Sequence, residues 1–155
     1  YDFYQRNYLV MKRIYKEEDI NIDISTIFNL INDIESYPNY LPWCTKTEVS
    51  QKSDQVLIGK IFISKSLIKW SFSTKNTISK NKSIKLEFVD GPFEKLHGEW
   101  VFNSIDSNNT SVSLEINYKF KNSLIEFSIE PIFTSIMNSI LASFIQEAFK
   151  IKYND

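Results

Sequence analysis

Hydrophobic and polar residues alternate through the middle of this chain, over residues 44–121. In the stretch TSVSLEINYKFK, Val112, Leu114 and the apolar residues that follow share one face, and the residues between them are polar. Because successive side chains of a strand point to opposite sides of its sheet, this period of two predicts strands with one apolar and one solvated face. Four polar stretches, SQKSD, SKNKS, DGPFE and DSNNT, break the runs as hairpin loops do. Six strands are predicted after the first helix. With a further strand predicted over residues 10–18, the pattern indicates an antiparallel sheet of about seven strands.

Two other segments show the longer hydrophobic period of an amphipathic helix. The first, DISTIFNLINDIESY, begins at Asp23 or Ser25, either of which is suited to cap a first turn, and should end at the two prolines of SYPNYLPWC. The second is predicted to begin at Pro131, where the missing N–H costs nothing, and to run for about 22 residues or roughly 33 Å. An antiparallel sheet followed by one long helix must bury that helix on its apolar face. The predicted fold is therefore α+β, with a curved antiparallel sheet wrapped round a long C-terminal helix.

The composition is that of one globular domain with many aromatic rings. The chain has 155 residues, of which 43% are hydrophobic and 15% are aromatic. That many rings either fill a core or line a cavity. With 18 basic and 19 acidic residues the net charge is −1, so there is no overall basic field for nucleic acid and DNA is not expected as a partner. A basic cluster around one predicted hairpin is better explained as a solvated face; its members are Lys75, Lys80, Lys82 and Lys85.

Few residues are suited to catalysis or to metal binding. The only His, His97, falls on the polar side of its predicted strand, opposite Trp100, so an exposed position is expected. The only Cys, Cys44, has no His near it in sequence to act as a base, and a buried, unreactive position is expected. One His and one Cys cannot form a histidine or cysteine metal cluster. No pair of carboxylates can be chosen from spacing, so the sequence predicts no catalytic residue and no metal site.

The strongest functional signal is the number of bulky apolar side chains that the predicted sheet and helix turn toward each other. One interpretation is a simple core. The other is an apolar cavity that holds a hydrophobic ligand, since a curved sheet and one helix do not pack in contact everywhere. The pattern leaves both interpretations open. The candidate ligand-binding residues are Trp43, Trp70, Phe72, Leu86, Phe88, Trp100, Phe102, Tyr118, Phe120, Phe133, Ile136, Met137, Ile140 and Phe144.

Three stretches together resemble one protein family: SYPNYLPWC, VDGPFEKLHGEWVF at residues 89–102, and the INYKFK strand before the long helix. They are similar to the coenzyme Q-binding protein family, of the START-like, polyketide-cyclase-like superfamily, whose bacterial members include ribosome association toxins. The resemblance covers residues 11–153 as a single START-like lipid-binding domain and leaves residues 1–10 as an N-terminal extension. It implies a helix-grip fold. SYPNYLPWC would then be the turn from the first helix into the sheet, with rings that cap the cavity and with Cys44 packed rather than reactive.

The resemblance implies a function without catalysis, in which a polyprenyl quinone such as ubiquinone (coenzyme Q) is the ligand and no cofactor is needed. The protein would serve respiration as a carrier or chaperone in a bacterial cytoplasm or a mitochondrial matrix, with a peripheral contact to the inner membrane as a further expectation. The toxin members imply an alternative, in which the protein binds the large ribosomal subunit and blocks subunit joining. A third hypothesis, a START-like enzyme, needs paired polar side chains in the cavity, and the predicted inward faces supply mainly Thr74, Asn76 and Tyr118.

Overall fold

The strands and helices follow one another in the predicted order. A computed structural model describes residues 11–154, and the predicted N-terminal extension, residues 1–10, lies outside the described residues. The strands are β1 (Lys12–Ile20), β2 (Cys44–Lys52), β3 (Val56–Lys65), β4 (Ile68–Ser79), β5 (Ser83–Asp90), β6 (Phe93–Asp106) and β7 (Asn109–Phe120). The helices are α1 (Ile24–Asn32), a 3-10 helix (Ile34–Asn39) and α2 (Ser123–Tyr153). The strands form one antiparallel sheet in the order β1-β7-β6-β5-β4-β3-β2, so all neighbours except β1 and β7 are also consecutive in sequence.

Helix α2 lies across the apolar face of the sheet, as predicted. Its buried residues, among them Phe133, Ile136 and Phe144, recur at helical spacing and belong to the same core as the inward side chains of the strands. Its C-terminal end is tied to the β1–α1 connection, where Lys152 Nζ donates a hydrogen bond of 2.8 Å to the Asn21 carbonyl. By length and composition alone α2 could cross a membrane, but here one face of it is buried against the sheet. The curved seven-stranded sheet and the long helix confirm the predicted helix-grip fold.

Helix α1 begins at a predicted cap and ends earlier than predicted. Asp23 accepts hydrogen bonds from the Thr26 backbone N–H at 3.1 Å and from the Thr26 hydroxyl at 2.7 Å. The N–H of Asp33 is shared between the carbonyls of two preceding residues, which tightens the chain from α to 3-10 geometry. Pro38, expected to stop the α-helix, lies inside the 3-10 helix that follows it. The hydrophobic pattern therefore located the buried face correctly but not the end of the α-helix.

Helix α2 begins eight residues before the predicted start at Pro131. Its cap is Asn122, whose side-chain oxygen accepts a hydrogen bond of 2.9 Å from the Ile125 N–H, and Pro131 lies in the third turn. The missing N–H of Pro131 leaves the Phe127 carbonyl without its helical partner. Both residues are exposed, so this carbonyl lies on the solvent side of the helix, where losing one bond costs little, and the helix continues. The additional turns carry Leu124 and Phe127 to the surface.

The turns of the sheet lie at two opposite ends of the molecule. One end, which we call the apolar end, holds the turn at residues 66–67 between β3 and β4, the connection at residues 91–92 between β5 and β6, and the start of α2. The other, which we call the polar end, holds the β2–β3, β4–β5 and β6–β7 turns and the end of α2. Alternate turns fall at alternate ends because each antiparallel strand reverses the direction of the one before it.

Candidate functional site

A cavity of about 70 Å³ lies between the sheet and α2. Strands β3 to β7 form one wall, and the 3-10 helix, the chain just before β2 and the middle of α2 form the other. The cavity is thus in the place where the sequence predicted a gap between a curved sheet and one helix. The lining residues are Ile34, Tyr37, Trp43, Ile61, Phe72, Thr74, Asn76, Leu86, Leu96, Ile116, Phe133, Met137 and Ile140.

A hydrogen-bonded pair of polar side chains stands in this apolar wall. Thr74 and Asn76, on the inward face of β4, are 8% and 5% exposed. The Thr74 hydroxyl donates a hydrogen bond of 2.7 Å to Asn76 Oδ1, and within residues 11–154 the Asn76 side chain has no other hydrogen-bond partner. A buried amide that lacks partners is unfavourable in apolar surroundings. The Asn76 Nδ2 group is therefore suited to donate to an acceptor on a ligand.

Six of the fourteen predicted ligand-binding residues line the cavity. They are Trp43, Phe72, Leu86, Phe133, Met137 and Ile140. They come from the loop before β2, from neighbouring strands and from α2, which is why no single stretch of sequence marks the site. The unbranched thioether of Met137 is a side chain that can change position at small cost. The wall of the cavity is therefore adaptable.

The Phe93 cluster, a group of rings packed round Phe93, closes the interior toward the apolar end. The centroid of the Phe93 ring lies 4.9 Å from that of Phe120, 5.1 Å from that of Phe133 and 5.9 Å from that of Phe88. Phe72 at 5.8 Å and Tyr118 at 6.2 Å complete the group. Three of these residues, Phe88, Tyr118 and Phe120, were predicted to bind ligand, and the structure packs them against Phe93, outside the cavity lining. Phe93, which the sequence placed in the DGPFE loop, is the buried first residue of β6.

The Phe144 cluster is a second group of rings, on the side of the cavity nearer the polar end. The Phe144 ring centroid lies 5.2 Å from that of Tyr37 and 5.7 Å from that of Trp100. Trp100 stacks on Phe102 at 6.5 Å, and Phe102 meets Phe28 of α1 at 5.2 Å. Trp100, Phe102 and Phe144 were also predicted to bind ligand, and the structure places them in the core beside the cavity rather than in its wall.

The last two predicted residues also lie outside the cavity lining. Ile136 is fully buried between α2 and the sheet. Trp70 is only partly buried and borders a groove on the surface together with Phe62 and Lys69. Bulky residues thus form both a core and a cavity wall. The sequence left a core and a ligand-holding cavity open; the interior contains both a core and a cavity, and ligand binding in that cavity stays a prediction.

The stretch SYPNYLPWC contributes to the cavity wall through two of its rings. Tyr37 and Trp43 line the cavity, and the Tyr37 hydroxyl donates a hydrogen bond to the Ile31 carbonyl in α1. Cys44 is buried, and this burial raises the pKa of its thiol to about 11. Since the thiolate is the nucleophilic form, Cys44 is a packed residue at neutral pH, as predicted from the sequence.

Five apolar residues of the cavity wall were not among the predicted ligand-binding residues: Ile34, Tyr37, Ile61, Leu96 and Ile116. The alternation of the strands had already placed Leu96 and Ile116 on apolar faces, so that signal could have selected them. Strand β3 offers no such signal around Ile61, because its sequence VLIGKIFISK is apolar on both faces. Ile34 and Tyr37 reach the cavity only because the chain turns into the 3-10 helix.

The titratable groups lie away from the cavity, with Tyr37 as the exception among its lining residues. His97 is exposed on the outer face of β6, as predicted, and the four lysines of the predicted basic cluster are also exposed. Lys12 is held by the carboxylates of Glu126, at 3.0 Å, and Glu130. Within the described part of the chain no group of three or more His, Cys, Asp or Glu is placed to hold a metal ion.

The fold and the cavity define a class of protein: a START-like helix-grip protein with a small apolar site between sheet and helix. The chain belongs to the polyketide cyclase / dehydrase and lipid transport family, whose family model matches residues 20–145. Among its relatives is a protein of Pseudomonas aeruginosa named ribosome association toxin RatA. The two are 29% identical over 122 residues, which cover 79% of this chain and 85% of that protein.

Solved structures share the fold at lower sequence identity. The Zhui aromatase/cyclase from Streptomyces sp. R1128 superposes with a TM-score of 0.81 at 12% identity, over 90% of this chain and 94% of that one. A START superfamily protein from Mycobacterium smegmatis gives a TM-score of 0.75 at 12% identity, over 90% and 98% of the two chains. The similarity to the START-like, polyketide-cyclase-like superfamily that the sequence motifs predicted is confirmed, as is the presence of ribosome association toxins among its relatives.

Proposed function

We propose that the protein binds a polyprenyl quinone, or a similar hydrophobic lipid, between its sheet and α2 and catalyses no reaction on it. It would act as a carrier or chaperone of quinone for respiratory electron transport. Its place would be beside the inner membrane, in a bacterial cytoplasm or a mitochondrial matrix. The observation that carries this proposal is the cavity, an apolar interior space with one incompletely bonded amide in its wall.

The groups in the cavity wall suit a quinone head. A quinone ring is flat and apolar and carries two carbonyl oxygens that only accept hydrogen bonds, which matches the free donors of Asn76. Tyr37 is the one titratable residue of the lining. Its hydroxyl is already bonded to the Ile31 carbonyl, and burial raises its pKa well above the ordinary value. The lining therefore offers groups that bind and none that transfers a proton near neutral pH.

The size of the cavity requires that side chains move when such a ligand enters. A volume of about 70 Å³ has room for about two water molecules, whereas drug-sized ligands occupy pockets of about 300–1,000 Å³. The Phe93 cluster lies between the cavity and the apolar end, and its members Phe72 and Phe133 also line the cavity. Ligand binding is therefore expected to repack this cluster.

The direct test is mass spectrometry of an organic extract from the protein purified out of a quinone-making host. Near-stoichiometric quinone is expected. An Asn76→Leu variant, which keeps the volume and removes the donor, should bind the quinone about tenfold more weakly in a titration, since one hydrogen bond is lost. Asn117→Leu on β7, outside the cavity lining, is the matched control and should bind as the parent does.

An extract without quinone or other lipid, from folded and monodisperse protein, would contradict the proposal. If the parent and Asn76→Leu bind quinone with equal affinity, the cavity can still be the binding site. The proposed hydrogen bond from the Asn76 amide would then be wrong. Equal loss in Asn76→Leu and Asn117→Leu would point to a general effect on the fold, which circular dichroism of both variants would reveal.

A second candidate function, association with the large ribosomal subunit, is favoured by the charge distribution as well as by the names of relatives. Residues 44–82 carry eight Lys and only two acidic residues, although the whole chain has a net charge of −1. Within this region Lys46 and Lys60 lie 5.4 and 5.0 Å from the centroid of the partly exposed Phe62 ring. Lysines beside an accessible ring suit the phosphates and bases of RNA.

Co-sedimentation with large subunits in a sucrose gradient tests the second candidate. Charge reversal by Lys60→Glu together with Lys75→Glu should abolish co-sedimentation, and salt should weaken that of the parent. Lys150→Glu, an equally charged change at the exposed end of α2, is the control and should have no effect. Failure of the parent to move with the large subunit at low salt would rule the second candidate out.

A further inference from the structure

The three most exposed large apolar side chains of the described residues lie at the apolar end. Leu67 is 100% exposed, Phe127 is 83% exposed and Leu124 is 76% exposed. Leu67 is at the tip of the β3–β4 hairpin, and the other two are in the first two turns of α2. A single exposed Leu needs no explanation, whereas several such residues at one end of a molecule indicate a contact surface.

The β3–β4 turn holds Leu67 in a backbone conformation that Leu disfavours. Ser66 and Leu67 are the only residues between the paired Lys65 and Ile68, and their φ angles are 54° and 68°. A two-residue hairpin turn with two positive φ angles is of type I′, for which Asn and Gly are preferred. Leu67 makes the turn harder to form and, being fully exposed, adds no packing. Folding alone gives no reason for an apolar side chain here.

The β3–β4 hairpin contacts α2 a few turns beyond the start of that helix. Lys65 Nζ is 3.4 Å from Ser135 Oγ, so the hairpin contacts the third to fourth turn of α2. Ser135 is two turns beyond Phe127 along the helix, and the exposed Pro131 lies between them. We call four exposed residues of this region the apolar surface. They are Leu67, Leu124, Phe127 and Pro131.

The charges near the apolar surface favour an anionic partner. Exposed lysines, Lys65 and Lys69, flank Leu67, and residues 55–86 contain no acidic residue. The nearest acids of α2 are Glu126 and Glu130, and Lys12 binds both of them. Apolar side chains at a tip, with lysines on either side, are typical of segments that enter the interface of an anionic bilayer.

We propose that the apolar surface inserts into the headgroup region of an anionic phospholipid bilayer, with Lys65 and Lys69 against the lipid phosphates. This goes beyond ligand binding, because the contact does not require the cavity to be filled. Helix α2 lies on the bilayer and does not cross it, since the sheet buries Phe133, Ile136 and Phe144. The contact places the bilayer next to the apolar end, where the Phe93 cluster closes the interior.

The test is flotation of the full chain with large unilamellar vesicles of phosphatidylcholine that contain about one third phosphatidylglycerol. Leu67→Asp and Phe127→Asp should each lower the partition coefficient at least about tenfold, since each exchanges an inserted apolar group for a charge. Leu67→Gly should weaken binding as well, although we expect it to fold at least as stably as the parent. The matched control is Ile105→Asp, because Ile105 is 54% exposed beside the β6–β7 turn at the polar end. It should bind as the parent does.

Three results would overturn the proposal. In the first, Leu67→Asp and Ile105→Asp bind vesicles equally. In the second, Lys65→Glu abolishes binding while Leu67→Asp leaves it unchanged, which would indicate a purely electrostatic contact. In the third, the parent does not bind vesicles, but it requires Leu67 to sediment with large ribosomal subunits. That result would assign the apolar surface to ribosome binding. Because all vesicle assays use protein free of quinone, a negative result is separate from any failure of ligand binding.

Discussion

The polar end and the apolar end close the same sheet in different ways. At the polar end, Asp106 accepts hydrogen bonds of 2.9 Å from the N–H of Asn108 and from Asn109 Nδ2, so the β6–β7 turn is satisfied by its own side chains. The positive φ of 58° in the β4–β5 turn belongs to Asn81, a residue type that tolerates it. At the apolar end a comparable conformation is taken by the fully exposed Leu67.

This difference separates the features that stabilise the sheet from those that folding does not explain. The residues of the polar end agree with the geometry of their turns, as expected where only stability matters. At the apolar end a turn residue disagrees with its geometry, and the three most exposed large apolar side chains of the described residues face solvent. Disagreement between sequence and local structure tends to occur at functional sites. This difference supports the proposed bilayer contact at the apolar end.

The largest expected effect comes from the interior of the apolar end. Phe93→Ala should lower the free energy of unfolding by about 3–5 kcal/mol, because it removes a buried ring with five aromatic neighbours. Phe28→Ala, in the other cluster, should cost about as much. Urea unfolding followed by tryptophan fluorescence measures both. Only the first variant should change quinone binding, and an equal change in both would remove the distinction between the two ends.

Gly91 is expected to show the next largest effect. It has a φ of 141°, and a Cβ atom there would lie 2.6 Å from Phe72 Cβ and 3.1 Å from the Ser71 carbonyl oxygen. Gly91→Ala should therefore cost about 2 kcal/mol or more in the free energy of unfolding. Gly59→Ala is the control, because a Cβ at Gly59 would meet only side-chain atoms, at 3.1 Å or more, and these can shift. A smaller loss for Gly91→Ala than for Gly59→Ala would contradict this account of the β5–β6 connection.

Exchanging the turn residues tests the comparison of the two ends directly. Leu67→Gly should raise the free energy of unfolding by up to about 1 kcal/mol, since it relieves a positive φ and loses no packing. Asn81→Leu should lower it by about 1 kcal/mol, since it introduces the same strain at the polar end. Thermal unfolding by circular dichroism is sufficient for both. Destabilisation by Leu67→Gly would show that Leu67 has a structural role.

The smallest expected effect is a pH dependence at the polar end. Hydrogen bonds from the N–H of Asn108 and from the Asn109 side chain lower the pKa of Asp106 below its usual value of 3.8. The carboxylate therefore contributes stability above the unfolded-state pKa, and this contribution is lost as the pH falls through the folded-state pKa. The stability difference between the parent and Asp106→Asn should shrink between about pH 5 and pH 2. A difference that stays constant over that range would exclude the linkage.

The fold could be predicted in more detail than the site. Alternation in β5, β6 and β7 marked their inward faces, and those residues are buried or half-buried. Two element boundaries were wrong because a proline was taken as a stop or a start, whereas Pro38 fits a 3-10 helix and Pro131 is tolerated on an exposed helix face. The turn at residues 66–67 carried no signal because it contains neither Gly, Asn, Asp nor Pro.

The sequence by itself determined the order of the elements, the apolar face of each and the motifs that identify the superfamily. Those properties follow from periodicity and local residue preferences, which act over a few neighbours. Only the tertiary structure decided which bulky residues form core and which line the cavity. Phe72 and Phe88 share the same kind of face on adjacent strands, yet only Phe72 lines the cavity. That choice depends on how rings from distant segments pack against α2, and a pattern along one strand does not contain this information.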